Sequence, residues 1–105
     1  MNDVLQRVHD ILLQRKSATA ENSYVASLYQ KGIPIIAKKV GEEATETVMA
    51  AVQGDVDQVI YETADLWFHT LVLLAYLEKS PEDVLAELER RFGTSGLTEK
   101  SQRQT

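Results

Sequence analysis

Apolar residues recur at helical intervals along almost the whole chain and nowhere alternate with period two over a useful length. Val4, Leu5, Val8, Ile11 and Leu12 share one stripe, so the spacing predicts an amphipathic helix over residues 3–16. Residues 17–22 are polar and read as a loop. Ser23 is suited to cap a short helix over residues 24–31, which Gly32 ends. Pro34 suits the first turn of the next helix. There Ile36, Ala37, Val40, Ala44, Val48 and Ala51 form the stripe expected to be buried. Gly54 stops that helix, and Asp55 opens another, with Gln58 three residues on to complete a capping box. The helix runs to about Lys79 and is apolar around most of its circumference, through Val59, Ile60, Leu66, Trp67, Leu71, Val72, Leu74 and Leu77. A helix greasy on more than one face is central to its bundle or shared with a second subunit. Ser80 and Pro81 open a last helix, with Val84, Leu85, Leu88 and Phe92 expected inward and residues 93–96 ending it. The expected fold is all-α: a bundle of four to five helices, one domain over residues 1–92, with residues 93–105 as its tail.

Composition narrows the function. Apolar content of 44% and charged content of 26% in 105 residues are those of an ordinary globular domain. Sixteen acidic against eleven basic residues give a net charge of −5, the wrong sign for a protein that grips nucleic acid by its phosphates. The chain has no cysteine, which excludes disulfides, thiolate catalysis and Cys-ligated metals. No signal-peptide core occupies the charged N-terminal segment, and the apolar run at Leu71–Ala75 is far short of a membrane span. The expected setting is cytoplasmic.

The acids carry the chemistry. Glu46 lies eight residues before Gly54 and Glu62 eight after; Glu43 lies eleven before and Asp65 eleven after. In an antiparallel pair of helices Glu46 then faces the level of Glu62 and Glu43 that of Asp65, the inner pair about 12 Å from the turn at 1.5 Å per residue. Within each helix the i, i+3 spacing sets both carboxylates on one stripe. Four carboxylates converging between two helices repel unless something positive sits among them. Oxygen-only ligands select a hard cation, Mg²⁺ or Mn²⁺. A di-iron bundle wants His three residues after Glu on two helices; here Asp65 holds that place and His69 comes a turn later. The stripes run beside the apolar ones, so the ligands are expected at the rim of the groove. For any single acid a solvated surface position is the ordinary outcome; the mirrored set, with only Lys39 as a cation on its stripes, is what argues for a site. His69, between Phe68 and the leucine run, reads equally as a core residue bonded to a carbonyl or as a group at the substrate. His9 is left without a role.

Glu42-Glu43-x-x-Glu46 followed by Glu62-x-x-Asp65 is similar to the signature of the all-α, MazG-like nucleoside-triphosphate pyrophosphohydrolases. Ser23-Tyr24, Lys31-Gly32, the run from Lys39 to Glu43, Glu46-Thr47, His69 and the leucine-rich run from Leu71 bring the resemblance closer to the phosphoribosyl-ATP pyrophosphohydrolase family, as does the ending from Arg91 to Gly96. It spans nearly the whole chain and leaves no room for a fused cyclohydrolase domain. The resemblance implies Mg²⁺-dependent hydrolysis of the α–β phosphoanhydride of phosphoribosyl-ATP, to phosphoribosyl-AMP and pyrophosphate, in histidine biosynthesis. The family's metal ligands carry over to Glu43, Glu46, Glu62 and Asp65. Glu42 is the candidate to orient or deprotonate the attacking water, with Glu46 beside it in the catalytic set. Lys39, and Lys31 from the preceding loop, are placed to meet phosphates; Ser23 and Tyr24 are candidates for ribose or base. The chain is further expected to be a homodimer or higher homo-oligomer, with the helix over residues 55–79 at the interface and the tail reaching a neighbour's groove. Two rivals stand beside this reading. One is a pyrophosphohydrolase of ordinary or damaged NTPs using the same metal site. The other is a non-catalytic helical interaction module.

Overall fold

The structure is a computed structural model that describes residues 3–93. Of the expected tail, residues 93–105, all but Gly93 lie outside the described residues. Those described form five helices and no strand: α1 (Val4–Gln14), α2 (Tyr24–Lys31), α3 (Ile33–Gln53), α4 (Val56–Tyr76) and α5 (Pro81–Phe92), with a 3₁₀ turn at Arg15–Ser17. None of these helices is long and apolar enough to cross a membrane.

The chain ends its helices where the local chemistry allows. Ser23 Oγ accepts from the Ala26 amide at 3.1 Å and starts α2. Gly32 closes it at φ +80, ψ −167, a region that only glycine adopts freely. Gly54 sits in the left-handed region at φ +76. Its amide reaches Ala51 O at 3.1 Å while the Asp55 amide reaches Ala50 O at 3.2 Å, the paired bonds of a Schellman stop. Asp55 then caps α4, accepting from the Gln58 amide at 3.1 Å. The expected capping box is only half formed: the Gln58 side chain turns away from Asp55 and donates to Glu62 Oε2 at 2.8 Å. A reciprocal bond of that kind occurs instead at α5, where Asp83 Oδ2 accepts from the Ser80 amide at 2.8 Å.

α3 and α4 are each 21 residues long and pack antiparallel as one hairpin about 30 Å in length. α1 and α2 cover only the half remote from Gly54. There Leu12, Val25, Leu28, Ile36, Leu71, Val72 and Ala75 make the core, joined at its edge by Leu5, Val8, Tyr29 and Phe68. Toward Gly54 the hairpin is bare: Val52 is 82% and Val56 72% exposed.

Two expectations about burial fail for physical reasons. On α3 the covered residues are Ile36, Glu43 and Ala50, seven apart, the seam period of a helix pair. Ala37, Val48 and Ala51 lie exposed on either side of it. The stripe was misread because an acid, not an aliphatic residue, holds the middle of the seam. On α5, Val84, Leu85, Leu88 and Phe92 stay between 42% and 51% exposed. All but Phe92 line an open apolar groove against Leu66, Trp67 and Leu74 of α4 and Leu5 of α1. α4 also stops at Tyr76, short of Lys79. A second Schellman pair, Glu78 N to Ala75 O and Lys79 N to Leu74 O, ends it.

That second stop puts Glu78 at φ +62, the one described non-glycine residue with positive φ. Left-handed backbone costs an L residue about 1–2 kcal/mol. Glu78→Gly should therefore stabilise the protein, by up to about 1 kcal/mol once glycine's extra unfolded-state freedom is counted. Gly54→Ala, with open space around it but the same backbone, should cost about 1–2 kcal/mol. Urea midpoints of the two variants should move in opposite directions.

Candidate metal centre and active site

The mirrored acids meet. One ligand oxygen each from Glu43, Glu46 and Glu62 lies within 4.8 Å of the others, and one ligand atom each from Glu43, Asp65 and His69 does the same. Glu43 belongs to both groups. It is also the most covered acid, 5% exposed, with Glu62 next at 9%, whereas Glu46 is exposed and Asp65 half-buried. The acids were expected at the rim. Instead Glu43 and Glu62 lie buried in the seam, and Glu46 and Asp65 stand at its mouth.

Burial without partners sets the electrostatics. Glu43 Oε2 and Glu62 Oε1 are buried with no hydrogen-bond partner, a costly state for a carboxylate oxygen. The Glu43 carboxyl is pushed up from 4.5 to about 7, first by burial, then by Asp65 and Glu46, which lie close enough to share its proton and which repel its charged form. Its one cation among the described residues is Lys39, whose Nζ is 3.9 Å from Glu43 Oε1 and closer, 3.4 Å, to Glu42 Oε1. At that range the ammonium offsets only part of the repulsion. A divalent ion fits what remains: inward oxygens lacking donors, an all-oxygen set, and one side open through Glu46. Glu43, Glu46, Glu62 and Asp65 are the residues that could hold it.

Around this cluster the other candidates divide. Glu42 is exposed and paired with Lys39, whose ammonium is held above its ordinary range, by Tyr24 first and then by a hydrogen bond to Glu42. Lys31, exposed at the end of α2, has no recorded contact with the acids. Ser23 is engaged as the cap of α2 and presents its oxygen to Ala26 rather than outward. Tyr24 and His69 come together: Tyr24 Oη and His69 Nε2 are 2.8 Å apart, and His69 Nδ1 is 2.9 Å from the Asp65 carbonyl oxygen and 3.3 Å from Asp65 Oδ1. His69 thus has both the carbonyl bond and the place beside the site that its sequence position left open. Burial holds the Tyr24 hydroxyl above the usual tyrosine range; Lys39 pulls it down while Asp65, Glu43 and Glu42 push it up. All these charges act on one hydroxyl, so Tyr24 stands at the edge of the cluster.

One residue escaped the sequence reading. Gln58 binds Glu62 Oε2 and so fixes that carboxylate's second oxygen. The i, i+4 spacing to Glu62 was the available signal, masked by its equally good capping position. Two concavities lie elsewhere, one lined by Lys16, Glu21, Tyr29 and Gln30, the other being the α4–α5 groove. Neither brings several carboxylates together, and chemistry singles out the acids.

The raised Glu43 carboxyl gives a pH signature. The folded protein holds that proton more tightly than the unfolded chain, where it titrates near 4.5. The contribution of Glu43 to the stability of the metal-free protein is therefore full below about 4.5 and is lost as pH rises through about 7. Urea unfolding in chelator should show this loss, and Glu43→Gln should flatten it. An unchanged slope in that variant would contradict the buried, acid-crowded position.

With the geometry in hand, comparison with known proteins gives a consistent answer. The family model for phosphoribosyl-ATP pyrophosphohydrolase matches residues 5–92. A phosphoribosyl-ATP pyrophosphatase of Geobacter metallireducens is 57% identical over 97% of this chain and 94% of its own. The proteins of the same name from Methylococcus capsulatus and Geobacter sulfurreducens are 58% and 56% identical, over 96% and 97% of this chain and 96% and 94% of theirs. All four matched regions contain the α3–α4 hairpin and its acids. The chain belongs to the phosphoribosyl-ATP pyrophosphohydrolase family.

Proposed function

We propose that the protein is a cytoplasmic enzyme that hydrolyses phosphoribosyl-ATP to phosphoribosyl-AMP and pyrophosphate, the second step of histidine biosynthesis. The observation that carries this reading is the Glu43-centred cluster, whose buried oxygens lack donors, taken with relatives of that name over nearly the full chain.

In this reading Glu43, Glu46, Glu62 and Asp65 hold Mg²⁺, with Mn²⁺ as substitute. When bound, the ion neutralises the triphosphate and acidifies a water. Glu43 and Glu62 supply the fixed inner oxygens, Glu62 oriented by Gln58. Glu46, exposed, faces the open side where the phosphates arrive. Glu42 lies one residue from Glu43 on the outer face and is the group to orient the attacking water or take its proton. Lys39, held beside Glu42, is free to turn from carboxylate to phosphate once the cation takes over the neutralisation of Glu43. Tyr24 borders the same opening, and Lys31 reaches it only if the phosphates extend past the end of α2.

Glu46→Gln and Glu62→Gln should each lower kcat by more than the 10–100-fold typical of residues that merely support a ligand, with the circular dichroism spectrum unchanged. Glu87→Gln on α5, remote from the cluster, should leave turnover intact. Assayed against ordinary NTPs, the wild type should prefer phosphoribosyl-ATP; equal rates on all would favour a general NTP pyrophosphohydrolase.

Assembly belongs to the same proposal. The bare end of the hairpin exposes Val48 (61%), Val52 (82%), Val56 (72%), Ile60 (66%) and Tyr61 (65%), and Trp67 further along is 58% exposed. Leu71 is covered within the chain at 8% while Trp67 is not, so the surface that supports a homodimer is the α3–α4 tip and the Trp67 face. Large apolar side chains exposed in this number on one hairpin suit an association site. Light scattering during size exclusion should give at least twice the chain mass, and Val52→Asp together with Ile60→Asp should reduce it to one chain. A wild-type monomer at micromolar concentration with full activity would sink the dimer.

A further inference from the structure

His69 is buried at 4% exposure, boxed by Phe68 edge-on at 5.1 Å between ring centroids and by Tyr24 edge-on at 5.8 Å. Its two nitrogens have different neighbours. Nδ1 faces two oxygens of Asp65, the backbone carbonyl at 2.9 Å and Oδ1 at 3.3 Å. A carbonyl oxygen can only accept, so Nδ1 carries the proton. In the neutral ring Nε2 then has a lone pair and no hydrogen, and the Tyr24 hydroxyl 2.8 Å away must donate to it.

This removes from Tyr24 the one thing a tyrosine usually gives a phosphate. Its proton is committed inward to His69, and only lone pairs remain on the outward side of Oη. Phosphate oxygens, like the carboxylates of Glu42 and Asp65 that act on this hydroxyl, are acceptors and have nothing to offer such an oxygen, and the ammonium that acts on it, Lys39, is turned to Glu42 at 3.4 Å. A hydroxyl donor does. We propose that His69 is a positioning residue that fixes Tyr24 as a hydrogen-bond acceptor at the mouth of the acid cluster, where it receives an O–H donor, from a sugar hydroxyl of the nucleotide or from a water, and not a phosphate oxygen.

The geometry supports the arrangement on three counts. Tyr24 lies in the first turn of α2 and is half exposed, at 50%, so its outward lone pairs are reachable. The bond to His69 spans 45 residues and ties α2 to α4, which fixes the tyrosine relative to Asp65. The imidazole is closed in at 4% exposure with Nδ1 held at the Asp65 carbonyl, so each nitrogen keeps its own partner. The sugar arm of the proposal rests on the reading of the protein as a nucleotide hydrolase; the tautomer does not.

Two measurements test it. Nitrogen-15 NMR of the metal-free protein should find His69 neutral with its proton on Nδ1, and Tyr24→Phe should shift the Nε2 resonance. A ring protonated on Nε2, or on both nitrogens at neutral pH, would overturn the proposal without reference to any substrate. In kinetics, Tyr24→Phe should raise KM about five- to tenfold, the loss of one hydrogen bond, with kcat little changed. His69→Ala should do the same and add nothing in the double variant. His69→Gln, whose carboxamide oxygen can accept from Tyr24, should restore most of the loss and guards against a His69→Ala that merely unfolds. Analogues lacking the 2′- or 3′-hydroxyl should lose affinity on wild type and none further on Tyr24→Phe if a sugar is the donor; if every analogue keeps the full Tyr24→Phe penalty, the donor is a water. Additive losses in the double variant, or no loss in Tyr24→Phe, would contradict the proposal. Should the wild type fail on phosphoribosyl-ATP, that defeats the proposed function, and the same variants are read on whichever NTP it does hydrolyse.

Discussion

Glu43 holds the middle of the seam between α3 and α4, and the rest of the molecule is organised around the cost of putting a carboxyl there. Helix pairs of this length bury a repeat of aliphatic residues seven apart. Here the repeat runs Ile36, Glu43, Ala50. A buried carboxylate without donors is destabilising, and two more acids close by make it worse. The site answers this by holding a proton on Glu43 to about pH 7. A hard cation answers it better, since it supplies the inward oxygens with the positive charge that Lys39, 3.9 Å from Glu43, delivers only weakly. In this account the same strain that weakens the metal-free hairpin is what gives the site its demand for metal.

The division of the hairpin into two halves follows. α1 and α2 pack on the end remote from Gly54, where Leu12, Val25 and Leu28 complete the aliphatic core with Ile36, Leu71, Val72 and Ala75 of the hairpin. The acids sit where that covering stops, so that Glu43 and Glu62 are enclosed while Glu46 opens outward. Were the covering helices longer, Glu46 would be closed in; were they shorter, Glu43 would be a surface acid. Tyr24 and His69 mark this border from the α2 side and join the two layers by one short bond. The bare end is left with a row of aliphatic residues that suits a second copy of the chain.

Much of this was legible in the sequence. Most helix boundaries were, the end of α4 excepted, because Ser23, Gly32, Gly54, Asp55 and Ser80 are residues whose backbone and side-chain chemistry end or begin helices almost regardless of what packs on them. The pairing of acids across Gly54 was too, since one turn of fixed geometry sets the level of every residue in the hairpin. What stayed hidden depends on packing between elements. The buried face of α3 differs from the apolar stripe because this protein puts an acid, Glu43, on the seam and aliphatics beside it. α5 was expected inward, though its apolar face finds only a partly covered groove. Gln58 has two plausible partners at i−3 and i+4, and only the fold decides between them. The tie between Tyr24 and His69 has no signal in spacing at all.

The claim on which the account turns is that the acids around Glu43 form a hard-cation site whose central ligand gives up a proton when it binds. Calorimetric titration of Mn²⁺ into the substrate-free protein near pH 6.5, repeated in buffers of different ionisation enthalpy, measures both things at once. The account predicts saturable binding with net proton release, and Glu43→Gln losing both. Absence of stoichiometric binding, or binding that survives unchanged in Glu43→Gln, would contradict it.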